Sequence, residues 1–262
     1  MNLYQAKEVT KMLLEFKCSN HRSIKEKVSF SMIAGSDNTS EELLKKFGNF
    51  RILRSAVIYG ANGSGKSNFI SALSFMKDLV SNSINHQPGQ GVFQARHKLS
   101  AEETPSEYSI QFVRNDIRYA YGFSVKQNLI QDEYLYYFPR GRQVKVFERN
   151  GLDVRPGDRY KGVFDVSISI LKDNRLFLSC AANYSNIKEI EEAFMFFNTD
   201  IVVYNPEINN WTEYSIELMQ NNDMIKRVFV DMLRALGTGA KDVKVKLEKI
   251  KLTDLPQELQ LP

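Results

Sequence analysis

Gly60-Ala61-Asn62-Gly63-Ser64-Gly65-Lys66-Ser67 has the spacing G-x-x-x-x-G-K-[ST], and the reading of the whole chain starts there. Glycines at 60, 63 and 65 let a short loop take positive φ and approach a ligand where a Cβ would collide. A loop whose amides point inward at a helix N-terminus neutralises negative charge without many side chains. Lys66 adds a mobile cation, and the hydroxyl of Ser67 stands one residue further on. The chemistry this pattern serves is capture of a polyphosphate, with Lys66 at the outer phosphates and Ser67 as ligand to the accompanying Mg²⁺.

The flanks support that reading. Arg54-Ser55-Ala56-Val57-Ile58-Tyr59 reads as a short buried strand leading into the glycines. Beyond Lys66, Phe69, Leu73, Met76 and Val80 recur at helical spacing, with Ile70 and Ala72 on the same side. Strand, glycine loop and helix is the order a phosphate cradle needs.

Working outward, Leu13 to Cys18 has strand character and Asn20-His21-Arg22-Ser23 reads as the turn after it. Val28, Phe30 and Met32 alternate with serines, so an antiparallel pair is expected ahead of the loop. Residues 81–91 have the composition of a loop. Four strands follow at Glu107 to Arg114, Ile117 to Lys126, Leu129 to Phe138 and Val144 to Arg149, separated by short polar turns. Their many aromatics read as packing within the sheet rather than as base-stacking platforms. A helix capped by Asn186, with Glu189 closing the box, places Ile187, Ile190, Phe194 and Phe197 inward. Asp200 to Tyr204 reads as a strand. Residues 216–236 read as one long helix with Ile225, Val228, Phe229, Met232, Leu233 and Leu236 inward, stopped by Gly237. Residues 242–250 read as a last strand with its lysines outward.

Composition narrows the class. The 262 residues are 43% hydrophobic and 25% charged, as expected of a folded chain. With 35 basic and 31 acidic residues, charge alone argues for neither nucleic acid nor membrane. Two cysteines, Cys18 and Cys180, make no disulfide framework and read as buried thiols. No segment has signal-peptide character or approaches the ~20 apolar residues of a membrane span, so a cytoplasmic protein without membrane contact is expected. The three histidines are scattered, leaving nucleotide-bound Mg²⁺ as the one metal inferred. No Asn-Lys-x-Asp guanine-reading segment follows Asn183, Asn186 or Asn205, which favours ATP.

The wording of the loop, with Asn62 at its third position and Ser67-Asn68 after the lysine, resembles the P-loop of ABC-type ATPase heads of the SMC and OLD kind. Together with Asn20-His21-Arg22-Ser23-Ile24, the aromatic sheet, Asn174 to Ser179 and Ile201-Val202-Val203, it is similar to the AAA-family ATP-binding proteins of abortive-infection and anti-phage loci, RloA- and AbiL-like. The resemblance implies an α/β fold, a P-loop NTPase lobe of ABC-ATPase-head type with an inserted antiparallel β-sheet and a helical C-terminal part. Residues 1–90 would form the nucleotide-binding core, 91–170 the insertion, and 171–262 a part leading to a further lobe. Gly60, Ala61, Asn62, Gly63, Ser64, Gly65, Lys66, Ser67 and Asn68 would bind ATP, Ser67 would hold Mg²⁺, and Arg22 would lie near the phosphates. A homo-oligomer with head-to-head contacts and a nuclease or toxin effector would be the partners, with DNA as an alternative ligand.

This chain departs from the pattern where hydrolysis is concerned. ATP turnover in such heads needs an acidic pair at a strand end and a serine-containing signature segment. The nearest approach to the first, Ile201 to Glu207, has Asn205 where the metal-binding Asp should stand. Val228-Phe229-Val230-Asp231 lies within a helical pattern. No catalytic residue is therefore assigned, and the expectation is an N-terminal lobe that supplies half a site. A DNA-repair head of SMC type, and a scaffold that binds ATP without turnover, stay open as alternatives.

Overall fold

The computed structural model describes residues 10–36, 41–204 and 211–244, in two units that divide after Val203. The first unit is built on a seven-stranded sheet, every neighbouring pair antiparallel, in the order β2-β1-β5-β6-β7-β8-β9. Its strands are β1 (Lys11–Ser19), β2 (Val28–Ser31), β5 (Ser106–Arg114), β6 (Ile117–Lys126), β7 (Leu129–Phe138), β8 (Val144–Asn150) and β9 (Asp153–Pro156). A separate hairpin pairs β3 (Leu44–Phe47) with β4 (Phe50–Leu53). Helices α1 (Lys66–Asn82), α2 (Asp165–Ser169), α3 (Phe177–Tyr184) and α4 (Lys188–Met195) complete this unit, α4 running into a wider turn at residues 196–200.

Alternation makes the sheet two-sided. Along β1, Phe16 and Cys18 face the core, as do Tyr108, Ile110 and Phe112 of β5 and Tyr119, Tyr121 and Phe123 of β6. The aromatics stack there: Phe112 lies 3.8 Å from the Phe196 ring and 5.2 Å from Tyr119. The inward rings are thus part of the core, and each such pair adds about 1 kcal/mol beyond burial. On the opposite face Tyr134 lies flat over Gly122, where any Cβ would sit 2.7 Å from its hydroxyl oxygen. A side chain at 122 would have to push the outer end of that ring aside.

A bulge in β1 gives the other face its own small core. The ladder steps from Leu13↔Phe112 to Glu15↔Gln111, leaving Leu14 as the extra residue. Leu14 consequently points away from Phe16 and joins Val113 and Ile52 in a satellite cluster with Met12, Met32, Phe47 and Phe50. The β3–β4 hairpin is held over that face, and Arg118 stacks on Phe138 at 3.6 Å with Phe50 at 5.4 Å.

Several expectations need correction. Residues 55–59 form no strand: among the described residues nothing pairs with them, and Val57 and Tyr59 are 83% and 90% exposed. Apolar character alone does not make a strand without a neighbouring ladder. Ile70 is exposed rather than facing inward, because it falls on the outer side of α1 from Phe69, Ala72 and Met76. Val28 is also exposed, since β2 is an edge strand. The α4 helix begins at Lys188 with extended Ile187 at its N-cap, and no side chain caps it, so Asn186 does not play that part. Residues 201–204 are not a strand, and Val202 is exposed.

The second unit holds α5 (Trp211–Asn221) and α6 (Asp223–Ala235). The single helix expected over 216–236 is broken at Asn222, whose extended backbone ends α5 and whose side chain accepts from the amides of Met224 and Ile225. Val230 is buried in this unit, whereas Val228, Met232 and Leu236 are exposed rather than inward. Gly237 does close the helix, at φ 72° with its amide on the Arg234 carbonyl. Residues 241–244 form no strand, and the rest of the strand expected there lies outside the described residues. Among the described residues no helix is long and apolar enough to cross a membrane.

Candidate functional site

The loop between residue 54 and α1 carries the expected candidates in one place. Gly63 and Gly65 take φ of 79° and 96°, the left-handed region that L side chains avoid. Gly65 is the N-cap of α1, and its carbonyl accepts the amide of Phe69 at 3.0 Å, so the helix starts directly under the loop. The Ser64 amide closes a turn onto the Ala61 carbonyl at 3.2 Å. Lys66 reaches back across the loop, its Nζ donating to the carbonyls of Gly60 and Ala61, each at 2.8 Å. The ammonium is therefore fixed at the mouth of the loop beside the first turn of α1, where amides without helical partners also lie. Ser67 is exposed on that turn.

The turn after β1 forms the wall facing this loop. Asn20 and Arg22 both adopt positive φ, 52° and 51°. Their strain is offset by a dense set of bonds: the Asn20 side chain donates to the Thr104 carbonyl at 2.8 Å and accepts from the His97 amide at 3.0 Å, and the Arg22 amide donates to the Ala95 carbonyl. So held, Ser23 is placed against the loop. Its Oγ accepts from Asn68 Nδ2 at 2.7 Å, and a Cβ on Gly65 would stand 3.2 Å from it. Asn68, a sequence candidate, thus acts here through Ser23. Arg22 is exposed at the same turn, and among the described residues its guanidinium makes no hydrogen bond or ion pair. In the sequence Ser23 reads only as part of a turn, because its contact spans 45 positions and has no local signature.

His21 anchors the turn from below. It is 2% exposed, with Nδ1 2.8 Å from the Tyr108 hydroxyl and Nε2 3.4 Å from Ser71 Oγ on α1. Burial, helped by the neighbouring Arg22 charge, pulls its pKa down to about 4, so the ring is neutral at physiological pH. Cys18 and Cys180 are buried and free, and burial pushes their thiols up to about 11 and about 12, away from nucleophilic use.

Beside the loop opens a cavity of about 450 Å³, bounded by Ile24, Phe30 and Phe69 and by Ser64, Gly65 and Lys66 of the loop itself. Among the described residues no group of three or more His, Cys, Asp or Glu side chains is arranged to hold a metal ion. The arrangement offers a cation, loop amides and a hydroxyl to a phosphate chain, and provides no cluster for a resident metal.

No curated protein matches the chain. Residues 55–161, which span the loop, α1 and the sheet from β5 to β9, match the model of a family described as "AAA domain, putative AbiEii toxin, Type IV TA system". Loop geometry and this match together support a P-loop, AAA-type ATPase-like domain in a mixed α/β unit with a large antiparallel sheet.

Proposed function

We propose that this chain is the ATP-binding subunit of a nucleotide-driven conformational switch, working in the cytoplasm of bacteria in anti-phage defence alongside a nuclease or toxin effector. The observation that carries the binding half is the Lys66 ammonium held across the loop on the Gly60 and Ala61 carbonyls, next to the N-terminus of α1. In that position it can meet the outer phosphates of ATP while the amides from Asn62 to Ser67 cradle the inner ones. The Ser67 hydroxyl would hold Mg²⁺, which neutralises phosphate charge when bound. The defence half is supported by the toxin–antitoxin wording of the matched family and by the resemblance to RloA- and AbiL-like heads. On this reading two copies meet head to head and bias an effector between two states.

Titration calorimetry with Mg·ATP tests the binding half. Lys66→Ala should weaken affinity at least a hundredfold; unchanged affinity would remove the loop as the site.

A second reading, binding without turnover, is favoured by one observation: Glu26 is the sole carboxylate on the described wall of the cavity, and it is exposed. ADP release by the protein under single-turnover conditions separates the two.

A further inference from the structure

We infer that residues 93–99 and the adjoining turn at Asn20 to Arg22 form a docking surface for an acidic segment of a partner protein with apolar contacts at its centre, and that docking there is linked to nucleotide binding. The linkage, but not the surface, rests on the reading of residues 60–67 as a phosphate cradle. Phe93 and Leu99 are 80% and 84% exposed. Their backbone is nonetheless fixed. The Val92 amide donates to the Asn128 carbonyl at 2.7 Å, the Ala95 carbonyl accepts from the Arg22 amide at 2.6 Å, and the His97 amide donates to Asn20 Oδ1 at 3.0 Å. Between them Gln94 turns inward, donating to the Val125 carbonyl at 3.5 Å and accepting from the Tyr108 hydroxyl at 3.4 Å. Two large apolar side chains are thus held out into water by a braced segment. Side chains presented in advance cost little to order on binding, and exposed aromatic groups of this kind serve as anchors. Seven residues span at most about 25 Å, so one short stretch of a partner covers both.

Charge selects the partner. Arg22, Arg96 and Lys98 are exposed, and among the described residues their side chains make no ion pair or hydrogen bond. Of the carboxylates in residues 93–107, Glu103 is held by Lys126 at 2.6 Å and Glu107 by Lys27 at 2.9 Å, which leaves Glu102 against those three cations. A rim of free cations around apolar anchors complements a segment rich in Asp and Glu with apolar side chains between them. Nucleic acid fits less well: it would use the cations and stack on Phe93, but it gives an aliphatic side chain such as Leu99 nothing to pack into.

The turn that pins this surface also holds the phosphate loop. Asn20 and Arg22 bind residues 95–97, while the next residue, Ser23, accepts from Asn68 Nδ2 at 2.7 Å, and His21 reaches Ser71 of α1 at 3.4 Å. Four consecutive residues therefore join the docking surface to the first turns of α1. An occupant that moves residues 95–97 moves the clasp on the loop, and a nucleotide that reshapes the loop moves the surface. Such coupling is reciprocal, each ligand changing the affinity of the other by the same factor.

Fluorescence anisotropy tests this with a labelled synthetic peptide of Glu-Leu-Glu-Phe repeats, against Lys-Leu-Lys-Phe and Glu-Ser-Glu-Gly peptides of equal length and an oligothymidylate. The first peptide should bind at least tenfold tighter than either control peptide, and the surface substitutions Phe93→Ser and Arg96→Glu should each weaken it at least fivefold. No preference among the peptides, or indifference to both substitutions, would overturn the surface. Oligothymidylate binding that is tighter than the peptide's and is weakened by the same substitutions would overturn a protein partner in favour of nucleic acid. Saturating Mg·ATP should change the affinity for the peptide by about fivefold or more. Asn20→Gly, which tolerates the positive φ and deletes the bonds to Thr104 and His97, should remove that effect with both ligands still bound. Peptide affinity indifferent to bound Mg·ATP would overturn the linkage. Peptide binding without any binding of Mg·ATP would overturn the phosphate cradle, and the linkage with it, and leave the surface standing.

Discussion

Ser23 and Asn68, 45 residues apart, meet through a 2.7 Å hydrogen bond that fastens the turn after β1 to the first turn of α1. The phosphate loop is thereby gripped from the side of the sheet as well as from its helix. A hydrogen bond of this kind contributes about 0.5–1.5 kcal/mol. Ser23→Ala and Asn68→Ala should each weaken Mg·ATP binding by about two- to tenfold. Because one bond is lost in either case, the double variant should be no worse than the singles, a coupling that a double-mutant cycle by calorimetry reads directly.

Gly65→Ala strikes the same contact from the other side. The new Cβ would be held at φ 96°, and its position is 3.2 Å from Ser23 Oγ. Left-handed strain on a residue of this kind costs about 1–3 kcal/mol. A lower melting temperature together with at least a tenfold loss of ATP affinity is expected; an unaltered protein by both measures would show that the loop does not need its present shape.

Beneath the sheet, Glu133 and Arg149 form a fully buried pair at 3.2 Å. Glu133 also accepts from the Phe177 and Leu178 amides, at the start of α3, and from the Tyr121 hydroxyl at 2.9 Å. Removing one member leaves the other charge buried without its counterpart, a loss of about 3–5 kcal/mol. Glu133→Gln should therefore show a strongly reduced denaturation midpoint in urea, while Tyr121→Phe, which deletes a single hydrogen bond, should lose only about 1 kcal/mol.

His21 sets an acid limit on the fold. Its pKa is about 4 in the folded protein and 6.5 in the unfolded chain, so between those values the unfolded chain binds more protons. Stability contributed by the neutral ring is complete above pH 6.5 and falls as the pH drops toward 4. Thermal melts across that window should show a declining midpoint, with the decline shallower in His21→Gln. A slope indifferent to this substitution would place the acid sensitivity elsewhere.

The parts legible in the sequence are those whose cause is local. The strands β5 to β8 announce themselves through alternation and short polar turns, and α1 through the spacing of Phe69, Leu73, Met76 and Val80. Helix α6 is half legible: Gly237 marks its end, but Asn222 reads as an ordinary polar residue until its side chain is seen on the Met224 and Ile225 amides. Residues 55–59 mislead because a run such as Ala-Val-Ile-Tyr has strand character wherever it occurs, and only a partner ladder makes it one. At the candidate site, spacing identifies the loop from Gly60 to Ser67. The Ser23 clasp, the left-handed Arg22 and the Phe30–Phe69 wall arise from contacts between distant segments, which no window of sequence contains.

Arg149 also donates to the carbonyls of Gly151, Lys172 and Arg175, at 2.6, 3.2 and 2.5 Å. One guanidinium thus does for this irregular connection what a row of backbone bonds does for a strand. The connection from 171 to 176 is in consequence locked in length: a residue added or removed between Lys172 and Arg175 would slide one carbonyl off its donor and shift the start of α3. A change of length is better borne at other bends of the chain, and this one is a fixed gauge between the sheet and its helical cover.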